Sequence, residues 1–150
     1  ADSLTFYLED IDSSSWDAPP FHRAVRHFSD KAQKTPSHSF QYRLGNETET
    51  GLPPRTFDHV LIIDTYHHFV RREEMLNHVV GLLKPGGTIV VLEAIARKPA
   101  DIHPGCRSRI FSQDDIIGEF RRHGMKLEKS RYAGKASGRS NYIFVFAADL

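Results

Sequence analysis

Along the chain, short apolar runs alternate with segments in which apolar residues recur every three or four positions. The runs predict six strands, at residues 4–8, 39–44, 57–65, 88–92, 125–132 and 141–147. The recurring positions predict three helices between these strands. Such alternation is typical of crossover units, so we expect an α/β fold built on a mostly parallel sheet.

Three local patterns predict where the helices lie. The first helix carries one apolar face, made of Phe21, Ala24, Val25 and Phe28. It is expected to end at Pro36. The second has Glu73 in its first turn and stops at residues 84–87, Lys-Pro-Gly-Gly, where proline breaks the helix and glycine accepts positive φ. Ser112 and Asp115 form a capping box at the start of the third.

The last two strands are joined by a short link, residues 133–140. That length is too short for a helical crossover, so the two strands are predicted to be antiparallel. Basic residues are frequent here: Lys126, Lys129, Arg131, Lys135 and Arg139. We interpret them as a solvated hairpin and its tip and expect no nucleic-acid partner, because the net charge of the chain is only +1.

Composition narrows the class of protein. The 150 residues, 39% hydrophobic and 26% charged, fit one globular domain. No apolar run approaches the roughly 20 residues that span a bilayer, and no signal peptide is visible, so we predict a cytoplasmic protein without a membrane partner. The single cysteine, Cys106, excludes an internal disulfide and a multi-cysteine zinc site.

One ordered set of motifs carries a resemblance. Phe57-Asp58 opens a strand that ends before His67, a helix follows, and Leu-Lys-Pro-Gly-Gly at 83–87 leads into a strand ending at Glu93. With the antiparallel last pair, this set closely resembles class I S-adenosylmethionine-dependent methyltransferases of the ubiquinone/menaquinone-biosynthesis-like type. The resemblance runs from that family's second strand to its seventh, which implies that residues 1–150 form a single partial domain with a Rossmann-like sheet.

The family's Gly-x-Gly-x-Gly loop and its first strand have no counterpart in the sequence. We therefore expect a truncated methyltransferase domain that is inactive as this chain, with exposed strand edges that favour self-association. A non-catalytic scaffold or partner subunit is the alternative, and a nicotinamide oxidoreductase is a weaker one. An upstream coding region with an apolar strand and a glycine-rich turn would favour the enzyme.

The resemblance implies that S-adenosylmethionine lies across the carboxyl ends of the parallel strands. Asp10 would accept hydrogen bonds from both ribose hydroxyls, and Ile11 would pack against the adenine. Asn46 and Glu47 follow the next strand, where the family contacts the adenine amino group. A solvated acidic turn at Asp10 and an ordinary polar loop at Asn46 are the alternatives.

Asp64 and Thr65 match the position beside the methionine part of the cofactor, and His67 and His68 come next. Either histidine could act as a base while the methyl group passes to an O, N or C atom of a small-molecule acceptor. The alternative is that one packs in the wall and the other shapes the pocket. We predict no metal site, because adjacent histidines rarely converge and no clear third ligand is nearby.

The segment at residues 94–111 is where this family varies to choose its acceptor. Arg107 or Arg109 could bind an anionic group of the acceptor, although an ordinary surface loop is an alternative. His103 lies in the same loop. Cys106 is interpreted as a bystander.

Overall fold

A computed structural model describes residues 4–15, 23, 26–27, 39–136 and 138–148. The chain divides into two compact units, Ala1–Leu52 and Pro53–Leu150. The division falls inside the polar segment that precedes Phe57, where neither strand nor helix is formed.

The first unit contains two parallel strands, β1 (Thr5–Asp10) and β2 (Ser39–Leu44). Residue Thr5 is paired with Ser39, and the register continues without a break to the end of both strands. Phe6 and Phe40 occupy paired positions and stack with their ring centroids 5.2 Å apart. The strand predicted at residues 4–8 therefore exists but runs two residues further, and the second strand has its predicted bounds.

The first predicted helix falls mostly outside the described residues, which include none of the four on its apolar face. The described positions 23, 26 and 27 are helical, as the prediction requires. Trp16 also lies outside the described residues.

The second unit is a four-stranded sheet with two helices. Its elements are β3 (Phe57–Ile63), α1 (Arg72–Gly81), β4 (Leu83–Ala94), α2 (Gln113–Arg122), β5 (Met125–Ala136) and β6 (Arg139–Ala148). The strand order is β3-β4-β6-β5. The β3–β4 pair is parallel, whereas β6 is antiparallel to both β4 and β5.

The antiparallel arrangement of the last two strands is confirmed, but the prediction of a mostly parallel sheet is only partly right. The short link 133–140 becomes a tight hairpin, with Ala136 paired to Arg139. This hairpin places β6 beside β4, so the antiparallel direction extends to a second strand pair. Among the described strands, β3 pairs only with β4, and its Leu61 and Ile63 are each 55% exposed.

The sequence predicts that α1 stops at residues 84–87, but the helix ends earlier than that. The helix ends at Gly81, and strand β4 already begins at Leu83. Gly86 has φ of +80°, as expected for a glycine turn. A Cβ on Gly87 would lie 3.0–3.1 Å from three backbone carbonyl oxygens, so this glycine is required because backbones approach closely.

The core of the second unit lies between its sheet and its helices and is rich in aromatic rings. Tyr66, Phe120, Phe144 and Phe146 are fully buried. Phe120, from α2, stacks on Phe146 of β6 at 4.2 Å between centroids. The predicted capping box at the start of α2 is confirmed, with Ser112 accepting from the Asp115 N–H and the Asp115 carboxylate accepting in return.

The basic residues of the hairpin are not all solvated. Lys126, Lys129, Arg131 and Lys135 are exposed as predicted. Arg139 is the exception, because its side chain is only 12% exposed and forms an ion pair with Asp101. Among the described residues, no helix has both the length and the apolar character needed to cross a membrane.

Candidate functional site

Asp10 lies at the carboxyl end of β1, where the sequence predicts a cofactor ligand. Its Oδ1 accepts a hydrogen bond from the backbone N–H of Asp12 at 3.0 Å, and Asp12 in turn accepts one from Ser14. Its Oδ2 accepts no hydrogen bond from the described residues. The next residue, Ile11, is 62% exposed.

Asn46 and Glu47 follow β2, and both are exposed. The Asn46 Oδ1 accepts three hydrogen bonds, from the Thr48 N–H and hydroxyl at 2.8 and 2.9 Å and from the Glu49 N–H at 3.1 Å. A carbonyl oxygen has two lone pairs, so this oxygen is saturated by its own turn. An adenine amino group would reach it only if some of these bonds opened.

A partly buried carboxyl group, that of Glu9, lies beside these strand ends. The Oε1 of Glu9 is buried and has no hydrogen-bond partner among the described residues. Desolvation, followed by the nearby charge of Asp10, raises the pKa of Glu9 to about 7. The carboxyl lies where a Cβ on Gly45 would be, at 1.9 Å from its Oε1, so glycine at position 45 makes room for it.

Asp64 and Thr65 follow β3 and are exposed. Asp64 has φ of +53°, in the left-handed region that non-glycine residues seldom occupy, and its N–H donates to Leu92 O at 2.8 Å. Thr65 begins a short 3-10 helix, Tyr66–His68, whose His68 N–H donates to Thr65 O. Strain of this kind at the carboxyl end of a parallel strand is common at functional sites.

His67 is buried and bound to Glu93, a contact that the sequence analysis did not foresee. The His67 Nδ1 lies 2.8 Å from Glu93 Oε1, and the side chains are 1% and 0% exposed. Glu93 Oε1 also accepts from the Ala94 N–H at 2.9 Å. The hydrogen bond to Glu93 raises the pKa of His67, against the lowering effect of burial. The burial of His67 is what the alternative interpretation, in which one histidine packs in the wall, requires of one of the two.

His68 points into different surroundings. It is exposed, and its ring centroid lies 4.2 Å from that of His67. Desolvation and the neighbouring His67 lower the pKa of His68. The two adjacent histidines therefore differ: one is fixed by a buried carboxylate, and the other remains accessible.

The loop after β4 brings two more side chains to His67. His103 and His67 have ring centroids 5.0 Å apart, and Cys106 Sγ lies 3.2 Å from His103 Nδ1. Desolvation acts to raise the pKa of Cys106, but hydrogen bonds from Ser108 and the nearby imidazole of His67 lower it to about 7. Cys106 therefore lies beside two imidazoles, and the interpretation of it as a bystander stays untested.

Asp101 anchors this loop to the sheet. Its carboxylate is paired with Arg139 of β6 and accepts hydrogen bonds from the N–H groups of Arg97 and Ile102. The ion pair and hydrogen bonds lower the pKa of Asp101. The loop is therefore held at both its start and its middle. Arg109 lies over the Phe111 ring, with 5.2 Å from its guanidinium carbon to the ring centroid.

Comparison with known proteins gives a family match that includes the ends of β1, β2 and β3. A family model described as a methyltransferase domain matches residues 10–91, more than half of the chain. The chain belongs to this methyltransferase family. The matched region contains the carboxyl ends of β1, β2 and β3. No curated protein matches the chain in sequence.

Solved structures show the same α/β methyltransferase fold. A SAM-dependent methyltransferase from Aquifex aeolicus has a TM-score of 0.66 at 13% identity, over 95% of this chain and 68% of its own. A SAM-dependent methyltransferase from Methanosarcina mazei has 0.63 at 12% identity, over 99% of this chain and 82% of its own. At such identities the likeness establishes the fold alone.

A third structure holds ligands. The 1,6-didemethyltoxoflavin-N1-methyltransferase of Burkholderia thailandensis, with bound 1,6-didemethyltoxoflavin and S-adenosylhomocysteine, has a TM-score of 0.67 at 11% identity, over 97% of this chain and 70% of its own.

Proposed function

We propose that this protein transfers a methyl group from S-adenosylmethionine to an O, N or C atom of a small molecule. The observation that carries the proposal is the family match, because it covers the strand ends where the predicted cofactor residues lie. The Leu-Lys-Pro-Gly-Gly sequence at residues 83–87 supports the ubiquinone/menaquinone-biosynthesis-like type within that family. The bound acceptor of the Burkholderia enzyme supports a small molecule as substrate.

The chemistry of the first unit suits the nucleoside part of the cofactor. Asp10 offers carboxylate oxygens to the ribose hydroxyls, and Oδ2 is available without breaking its turn. Ile11 offers exposed apolar surface to the adenine. Asn46 fits less well through its side-chain oxygen, so we propose that it acts by shaping the loop that contains Glu47.

In the second unit, Asp64 and Thr65 are proposed to bind the methionine part of the cofactor. The left-handed backbone at Asp64 turns the chain directly after β3, and both residues are exposed there. When bound, the cofactor supplies the reactive methyl group on its sulfonium. The residues of this chain bind and orient the reactants, which contributes a large share of the rate of in-line displacement.

Of the two candidate bases, His68 is favoured. A base must reach the acceptor directly or through one water, and His68 is exposed, whereas the free Nε2 of His67 is buried. In a form of the protein that shows methyltransferase activity, His68→Ala is expected to lower kcat by roughly 100-fold or more, in the range typical of a lost general base, with unchanged affinity for the cofactor. If His68→Ala keeps its full kcat while His67→Ala loses it, the assignment is wrong.

Binding of S-adenosylmethionine tests the proposal. Titration calorimetry on the chain is expected to show one site, and Asp10→Asn to weaken it by roughly tenfold or more, since hydrogen bonds to a charged group contribute about 1.5–3 kcal/mol. Asp12→Asn is the matched control, because it changes a neighbouring exposed acid and should leave the affinity unchanged. Absence of binding, or equal loss in both variants, would overturn the assignment of Asp10.

The acceptor class is tested separately. Radiolabelled S-adenosylmethionine is incubated with an active form of the protein and a cell extract divided into small-molecule, protein and RNA fractions. Label should enter the small-molecule fraction. Transfer only to protein or RNA would contradict the proposed acceptor. The prediction that these 150 residues are inactive on their own remains a prediction, and the same assay on this chain tests it.

A further inference from the structure

Three potential metal ligands converge at the carboxyl end of β3, in a cluster formed by His67, His103 and Cys106. One ligand atom from each lies within 4.8 Å of the others. The Nε2 of His67 is buried and has no hydrogen-bond partner among the described residues, on a side chain only 1% exposed. A buried nitrogen without a hydrogen-bond partner costs free energy, and an ion shared with the neighbouring Cys106 thiolate would satisfy it.

The fixed orientation of His67 is that of a metal ligand. Its Nδ1 is hydrogen-bonded to Glu93, which leaves Nε2 as the coordinating atom. A histidine that binds a metal through one ring nitrogen nearly always donates a hydrogen bond from its other ring nitrogen, commonly to a carboxylate. Glu93 is itself fixed by the Ala94 N–H, so the imidazole is positioned before any ion arrives.

The loop supplies two ligands at a suitable spacing. His103-Pro104-Gly105-Cys106 is a tight turn, stabilised by the Arg107 N–H donating to His103 O at 2.9 Å. It brings Cys106 Sγ to 3.2 Å from His103 Nδ1, close to the roughly 3.3–3.8 Å that tetrahedral zinc with N and S ligands requires. A Cβ on Gly105 would lie 3.3 Å from the His103 ring, so a larger residue there would push that ring by a few tenths of an ångström.

We propose that His67, His103 and Cys106 bind a Zn²⁺ ion, with Glu93 as the carboxylate that orients His67. Two imidazoles and a thiolate suit zinc, whereas Mg²⁺ and Ca²⁺ require oxygen ligands. Three protein ligands leave a fourth position for water or for an atom of a bound molecule. The ion would also join the loop after β4 to the end of β3.

A second set, Asp64, His67 and Glu93, also has ligand atoms within 4.8 Å of one another. This set is less suitable for a metal. It would use Glu93, whose Oε1 is already bonded to His67 Nδ1, and it would leave the buried His67 Nε2 without a partner. The cluster with His103 and Cys106 satisfies that nitrogen and preserves the His67–Glu93 bond.

Cobalt binding tests the site directly, because thiolate-bound Co²⁺ has a charge-transfer band that oxygen- or nitrogen-bound Co²⁺ lacks. Titrating Co²⁺ into the metal-free chain should give this band with one equivalent, and Zn²⁺ should abolish it by competition. Cys106→Ser should lack the band, and because Cys106 is exposed this variant should keep the fold. His103→Ala should bind Zn²⁺ at least tenfold more weakly.

His59→Ala is the matched control, since His59 belongs to the same unit but to neither set of ligands. It should titrate as the wild type does. Absence of the band with excess Co²⁺, or a band of equal strength in Cys106→Ser, would overturn the proposal. Zn²⁺ should also slow alkylation of Cys106 in the wild type, and alkylation at an unchanged rate would contradict the site. None of these measurements involves S-adenosylmethionine, so their outcome is independent of the proposed methyl transfer.

Discussion

Two pairs of parallel strands end in polar side chains, and their surroundings are opposite. At the ends of β1 and β2, Asp10 and Asn46 accept hydrogen bonds from backbone N–H groups two or three residues away. At the ends of β3 and β4, His67 Nδ1 is hydrogen-bonded to Glu93 across 26 positions, and both side chains are excluded from water. The first kind of strand end is determined locally. The second depends on the packed sheet.

The largest loss of stability is expected from removing the buried Glu93 carboxylate, which accepts hydrogen bonds from His67 and Ala94. Glu93→Ala leaves the His67 Nδ1 and the Ala94 N–H without their partner in the core of the second unit. We expect the free energy of unfolding to fall by about 3–5 kcal/mol, as when one member of a buried pair is lost. Urea denaturation followed by circular dichroism measures it. Glu128→Ala, an exposed change on β5, is the control and should cost little.

The next largest loss of stability is expected at Gly45, which lies close to Glu9 at the ends of β1 and β2. In Gly45→Ala the new Cβ would meet the Glu9 carboxyl and lie 2.9 Å from Glu49 O, so the first unit must shift. We expect a loss of about 1–3 kcal/mol, typical of overpacking. Faster hydrogen exchange in β1 and β2 would report it. Gly81→Ala, which meets nothing within 4 Å, should leave exchange unchanged.

Removing the Asn46 side-chain oxygen, which accepts hydrogen bonds in the loop after β2, should reduce stability less. Asn46→Ala loses three hydrogen bonds to one exposed oxygen, and water replaces part of them. We expect a cost of about 1 kcal/mol, confined to residues 46–49. Exchange rates of the Thr48 and Glu49 amides provide the readout. A loss as large as that in Glu93→Ala would show that the two strand ends do not differ as described.

The difference between the ends of β1 and β2 and the ends of β3 and β4 explains which features the sequence could predict. Strands, the hairpin direction and the Ser112 capping box follow from local patterns, and all of these are found. The proximity of His103 and Cys106 to His67 depends on how a loop folds back over 36 to 39 positions, which no spacing rule encodes. The Asp101–Arg139 ion pair that anchors this loop was missed for the same reason.

Some corrections have a local cause. Lys-Pro-Gly-Gly was expected to end α1 directly, but Leu83 is already paired with Phe57 in the sheet, so strand pairing ends the helix earlier. Glu93 was the one residue in the sequence that could have indicated the buried His67–Glu93 pair. A lone acid at the end of an apolar strand indicates a partner in the core, and the histidines after β3 were candidates.

The smallest effect is a pH dependence in the first unit. The pKa of Glu9 is raised to about 7 in the folded state, from 4.5, so folding favours its neutral form. Stability of the first unit is therefore complete below about pH 4.5 and falls as the pH rises towards 7. Because the group is only partly buried, the change is small. Glu9→Gln should flatten this dependence, and a slope of opposite sign would contradict it.

The most direct test of the account is a map of amide chemical shifts upon addition of S-adenosylhomocysteine. Binding is expected to shift the amides at the ends of β1 and β3, at Asp10, Ile11, Asp64 and Thr65, with no change in the β5–β6 hairpin around Gly138. Shifts confined to the hairpin, or none at saturating ligand, would contradict the claim that these strand ends bind the cofactor.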